Sequence, residues 1–117
     1  MKNITILGAS CSLVFDRYTD DTICITAINE GEEWAVCTVN WQDGWQGAVP
    51  YAKAFPFPVI VIKNYSENEG MINDLMTGGV IQNGGAYLSG TGGTVEARLL
   101  SIEWQKECSK QLNLITA

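Results

Sequence analysis

Apolar and polar positions alternate with period two along Thr22-Ile23-Cys24-Ile25-Thr26-Ala27-Ile28. That spacing puts successive side chains on opposite faces of a strand. Asn29-Glu30-Gly31-Glu32 is a turn signal, and Trp34-Ala35-Val36-Cys37-Thr38-Val39-Asn40-Trp41 is a second β-rich run, so the segment predicts an antiparallel hairpin. Ile23, Ile25 and Ala27 share one face, with Ala35, Cys37 and Val39 or their neighbours opposite. A turn centred on Glu30-Gly31 sets Cys24 across from Cys37, whereas a three- or five-residue loop offsets them. A one-residue slip exchanges the faces. Upstream, Asn3-Ile4-Thr5-Ile6-Leu7 and Ser12-Leu13-Val14-Phe15 read as one or two short strands with a break at Gly8, and Asp16 to Asp21 reads as a turn.

Beyond the hairpin, residues 42–57 predict a long loop, with Asp43-Gly44 and prolines at 50, 56 and 58 discouraging regular structure. Val59-Ile60-Val61-Ile62 is a short continuous apolar run, as expected of a central strand. A helix is predicted over about 67–77. Ser66-Glu67-Asn68-Glu69 has the spacing of a capping box, and Glu67, Glu69 and Asp74 favour the positive end of the helix dipole. Met71, Ile72, Leu75 and Met76 form its apolar face, and Gly78-Gly79 supplies the stop. Seven of the twelve glycines fall between Gly78 and Gly93. Val80-Ile81 and Ala86-Tyr87-Leu88 are candidate short strands, and Thr94 to Leu100 alternates cleanly. Trp104, Cys108 and Leu112 recur every four residues, which predicts a short C-terminal helix, with Glu103–Lys106 and Glu107–Lys110 as supporting pairs. The order of elements predicts one α+β domain over 1–117 whose sheet is mainly antiparallel.

The chain has 117 residues, of which 46% are apolar, enough to bury a core and to exclude wholesale disorder. Thirteen acids against seven bases give a net charge of −6. Affinity for nucleic acid or anionic lipid rests on Lys and Arg, so direct nucleic-acid and membrane-surface binding are not expected. The balance suits a soluble chain or one that docks on a basic partner. Histidine is absent. Neither a Ser-His-Asp nor a Cys-His arrangement can be built, and the usual zinc and iron sites lose their commonest ligand. No metal or cofactor is expected. Cys11, Cys24, Cys37 and Cys108 form no C-x-x-C pair and sit in apolar runs, as buried free thiols do, while a Cys24–Cys37 disulfide stays open. The apolar run Ile4–Leu7 is too short for a secretion signal, and Gly8 departs from the lipoprotein pattern ahead of Cys11. No segment approaches the ~20 apolar residues of a membrane span. A reduced, cytoplasmic chain is the expectation.

Three constellations bear on chemistry. Gly90-Thr91-Gly92-Gly93-Thr94 leads into a strand and lacks the Lys of a phosphate loop, so it reads as a hairpin loop. Trp41, Asp43, Trp45 and Tyr51 put aromatic rings beside a carboxylate in one loop. They suit contact with a protein partner or stacking on a sugar, or the tryptophans belong to the core. The carboxylates Asp16, Asp20, Asp21, Glu30, Glu32, Glu33, Glu67 and Glu69 could serve a glycosidase or hold a divalent cation. Their positions in turns and at a helix start also suit plain solvation. On one side of the molecule they would present a negative surface resembling a nucleic-acid backbone.

The pattern Glu30-Gly31-Glu32, Ala35 and Thr38-Val39-Asn40, and more specifically Ile62 to Met71 followed by Gly79-Val80-Ile81, resembles a small family of uncharacterised bacterial domains from gut anaerobes, their mobile elements and phages. The resemblance covers about 22–41 and 59–81, with a weaker part at the strand from Thr94. The segments 42–57 and 82–93 depart from it. It implies a fold, a cytoplasmic setting and a mobile-element origin, and carries no site residues. The expected function is a small acidic, non-catalytic interaction factor that inhibits a host defence protein. The alternative is a carbohydrate-binding module built on the loop 41–51, and an enzyme using paired carboxylates or a Cys ranks below both.

Overall fold

The computed structural model describes residues 3–19, 22–39, 58–82, 86–90 and 93–113. The chain is α+β and mainly antiparallel. Four strands, β1 (Ile4–Ile6), β2 (Ala9–Arg17), β3 (Ile23–Asn29) and β4 (Glu32–Val36), form a meander in chain order. Leu7-Gly8 and Glu30-Gly31 make two-residue turns in which both residues have positive φ, 47° and 85° in the first and 51° and 81° in the second. Such turns match the twist of the strands they join. The strands extend past the sequence-based bounds: Asp16 and Arg17, expected in a turn, complete β2 opposite Cys24 and Ile23.

The β3–β4 ladder does not keep one register. Asn29 pairs with Glu32 and Ile28 with Glu33, but Ala27 pairs with Ala35 and Thr26 with Val36. Trp34 is the extra residue of a β-bulge, which shifts every later partner by one position. Cys37 therefore donates its amide to Ile25 O at 2.8 Å instead of lying opposite Cys24. Cys37 is buried, Cys24 is half-buried, and all four cysteines are free thiols.

Past Cys37, which still bonds to β3, the chain crosses to a second sheet. Thr38 bridges Ile62 antiparallel, and Val39 N–H to Val61 O and Lys63 N–H to Cys37 O close the junction at 3.0 Å each. Of the predicted run Trp34–Trp41, Trp34 to Val36 lie in β4, Cys37 to Val39 form the junction, and Asn40 and Trp41 lie outside the described residues. The second sheet has the order β5 (Val59–Lys63), β7 (Gly93–Leu99), β6 (Ala86–Gly90). Val80-Ile81, expected to be a strand, contributes a single bridge from Ile81 to Leu100. Gly90 pairs with Gly93, so the glycine-rich segment joins two antiparallel strands, as its sequence suggested.

The helical segment expected over 67–77 is present in two pieces: a 3₁₀ turn at Ser66–Asn68, then α1 (Met71–Thr77). Extended ψ at Glu69 (128°) and positive φ at Gly70 (93°) separate the two pieces. The capping box does not form. Neither Ser66 nor Glu69 caps α1, and the amide of Ile72 is instead taken by Asn64 Oδ1 at 2.9 Å. Met71, Ile72 and Leu75 are buried as expected, whereas Met76 is 37% exposed. The C-terminal helix α2 (Ile102–Leu112) matches its predicted stripe: Trp104 and Cys108 are buried and Leu112 packs on the core. Ser101 caps its start by accepting from Trp104 N–H.

One core runs through both sheets and both helices, with Ile4, Ile6, Leu13, Phe15, Ile25, Ile60, Ile62, Leu75, Leu100 and Trp104 among its members. The Phe15 and Trp104 rings lie 6.0 Å apart, centre to centre. None of the helices among the described residues is long and apolar enough to cross a membrane.

Candidate functional site

Trp41, Asp43, Trp45 and Tyr51, the residues singled out by the sequence, lie outside the described residues, as do Asp20 and Asp21. The remaining carboxylates of the sequence set, Asp16, Glu30, Glu32, Glu33, Glu67 and Glu69, are exposed. Glu67 pairs with Lys63 four residues back, and that ammonium holds its carboxyl down at about 2. Among the described residues, no group of three His, Cys, Asp or Glu side chains is arranged to hold a metal ion.

Three of the four thiols sit in surroundings that suppress reactivity. Burial pushes Cys37 up to about 12 and Cys108 up to about 11, and raises Cys11 as well. The thiolate is the nucleophilic form, so these three stay protonated near neutral pH. Burial likewise raises Tyr18. Its hydroxyl donates to Thr38 O at 2.8 Å, while Thr38 Oγ1 accepts from Ile25 N–H at 3.0 Å. These groups tie the sheet junction together.

A different surface is assembled at the tip of the β3–β4 hairpin. Glu30, Gly31, Glu32, Glu33 and Trp34 are five consecutive exposed residues. The bulge re-aims Trp34 across the meander, where its indole Nε1–H donates to Ile6 O at 2.8 Å. β1 and β4 are the outer strands of that sheet and would stand about 14 Å apart if it lay flat. The bond therefore requires the sheet to curl until its edges approach each other. Trp34 stays 48% exposed. It is a large ring fixed by its one polar atom, with much of its surface in solvent.

Charge around the tip is one-sided. Asn29 fixes the turn by donating to Ser10 O at 2.8 Å. Residues 3–16 and 22–39 contain four acids and no Lys or Arg. Among the described residues of the four-stranded sheet the one cation is Arg17, at the end of β2 remote from this turn. The rest of the β4 edge is guarded: Glu32 and Glu33 are charged, the bulge interrupts the ladder, and Asn68 Nδ2 occupies Val36 O. These are the devices by which an edge strand avoids pairing with a neighbouring molecule's strand.

Sequence reasoning treated Trp34 only as the first residue of a strand. Its adjacency to Glu32-Glu33, where polar-apolar alternation fails, was the available signal. Compared with protein-family models, curated proteins and solved structures, the chain matches none.

Proposed function

We propose that this chain is a non-catalytic interaction factor that docks its Trp34 rim on a basic surface of another protein. The observation carrying the reading is a half-exposed tryptophan that follows Glu30, Glu32 and Glu33 in a sheet whose described residues hold one cation, Arg17, at the far end of β2. Tryptophan dominates interface hot spots because one rigid side chain contributes a large contact area. The carboxylates add steering and selectivity, and they disfavour nucleic acid as the direct partner. Protonated, buried thiols support the non-catalytic part of the reading. A nucleic-acid-handling enzyme of the host, whose groove is basic, is the partner class that this acidity suits, and occupying the groove would inhibit it.

The test is capture of partners from lysate on the immobilised chain at low and at high salt, with Trp34→Leu as the paired variant. The reading expects a basic protein retained at low salt and released at high salt, where the Debye length falls to about 3 Å. Retention that ignores salt, or capture of no basic protein at low salt, overturns it.

A further inference from the structure

We infer that Trp34 receives an arginine side chain of the partner, the guanidinium lying on the indole face and bonding to carboxylates of the Glu30–Glu33 turn. The inference rests on the interaction reading above and names its central contact. Three features select this chemistry. The indole N–H is already spent on Ile6 O, so Trp34 offers a partner its ring and no hydrogen-bond donor. An exposed π face attracts cations and planar groups. The two residues before it in the chain are acids, and Glu30, Glu32 and Glu33 are all exposed, so a purely apolar occupant would leave those charges unmatched. Guanidinium meets both demands, because it is planar, weakly hydrated and shaped to bond carboxylates through a fork, while a lysine ammonium is compact and strongly hydrated. The curl of the sheet holds the ring in place before the partner arrives, so little side-chain freedom remains to be lost on docking.

The probes are short peptides alternating arginine and serine, with lysine and citrulline counterparts. Citrulline keeps the shape of arginine and removes its charge. Fluorotryptophan-labelled protein has four tryptophan resonances to follow, and the Trp34 signal is the one missing from Trp34→Phe. The arginine peptide is expected to shift the Trp34 resonance saturably at low salt, the lysine peptide to bind several-fold more weakly, and the citrulline peptide to leave it in place. Replacing Glu30, Glu32 and Glu33 together by Gln, or Trp34 by Leu, is expected to weaken the arginine peptide about tenfold. The buried Trp104 signal reports that each variant is folded.

Equal binding of the lysine peptide, arginine binding that leaves the Trp34 resonance unmoved, or no saturable binding overturns the inference. Capture of a basic lysate partner that Trp34→Leu abolishes, with arginine and lysine peptides bound equally, overturns the inference while leaving the interaction reading standing, whereas capture undiminished by Trp34→Leu overturns both. The absence of any basic partner for the unmodified chain removes the reading itself.

Discussion

The side-chain carbonyl of Gln111 accepts the backbone N–H of Phe15 at 2.8 Å, and the same amide donates through Nε2 to Leu13 O at 3.1 Å. Two positions apart on one strand, these groups point to the edge of β2 that β1, only three residues long, leaves uncovered. One glutamine from α2 thus continues the hydrogen bonding of a strand that has stopped, and docks the C-terminal helix on the meander. Nε2 also donates to Glu107 Oε2 at 2.8 Å, which orients the amide.

Replacing Gln111 by Ala or Leu strands two part-buried backbone groups, and a group left unsatisfied costs about 1–3 kcal/mol. Urea denaturation of Gln111→Leu is expected to show a loss in that range. Hydrogen exchange at the Phe15 amide is expected to accelerate beyond the change in global stability. An unchanged midpoint would show that the amide adds nothing to the helix docking.

Asn64 takes the capping role that the sequence assigns to Ser66. Asn64→Ala removes the acceptor for Ile72 N–H and is expected to cost about 1 kcal/mol, the usual value of a helix cap. Ser66→Ala removes no cap from α1 and is expected to stay within about 0.5 kcal/mol of the parent. Thermal unfolding of the two variants side by side decides between this arrangement and a working capping box.

Gly78 has helical φ and ψ, so backbone entropy alone favours alanine there. An added Cβ would meet Ile4 Cγ2 at 2.5 Å, and Ile4 is a buried core residue. Gly78→Ala is therefore expected to destabilise by about 1–3 kcal/mol, as overpacking does. In the double variant with Ile4→Ala the combined loss should fall short of the sum of the single losses. Additive losses would show that α1 shifts freely away from β1.

Alkaline pH should unfold the protein before the thiols become accessible. Unfolded, each thiol titrates near its ordinary value of 9.0, whereas folded Cys37 sits at about 12 and Cys108 at about 11. The folded state keeps protons that the unfolded chain releases. This contribution is full below pH 9 and is lost as pH rises through the folded values. The melting temperature is expected to fall steadily between pH 9 and 11. At pH 8, alkylation of the folded chain should give a single early adduct at half-buried Cys24, with Cys11, Cys37 and Cys108 reacting only on unfolding. Rapid modification of Cys37, read by peptide mass spectrometry, would contradict the structure.

Much of the architecture is legible along the chain because its signals are local. Alternation at 22–28 marks β3, the apolar run 59–62 marks β5, and the stripe Trp104, Cys108, Leu112 marks α2. The turn at Glu30-Gly31 is equally local, since only certain residues accept two successive positive φ values. The absence of histidine and the excess of acids over bases limit the chemistry at the same level.

Tertiary structure decided whatever depended on distant partners. The bulge at Trp34 set the register that separates Cys24 from Cys37, and it turned an ordinary strand residue into the centre of the rim. Ile6 supplied the acceptor that fixes the indole, and Asn64 displaced Ser66 as the cap of α1. The backbone groups of β2 found their last partner 96 residues away, in Gln111. Hydrophobic periodicity records which side of an element faces the core. Which hydrogen-bonding group lies across from which is settled only when the sheet curls and the helices dock on it, because those distances come from the packed whole.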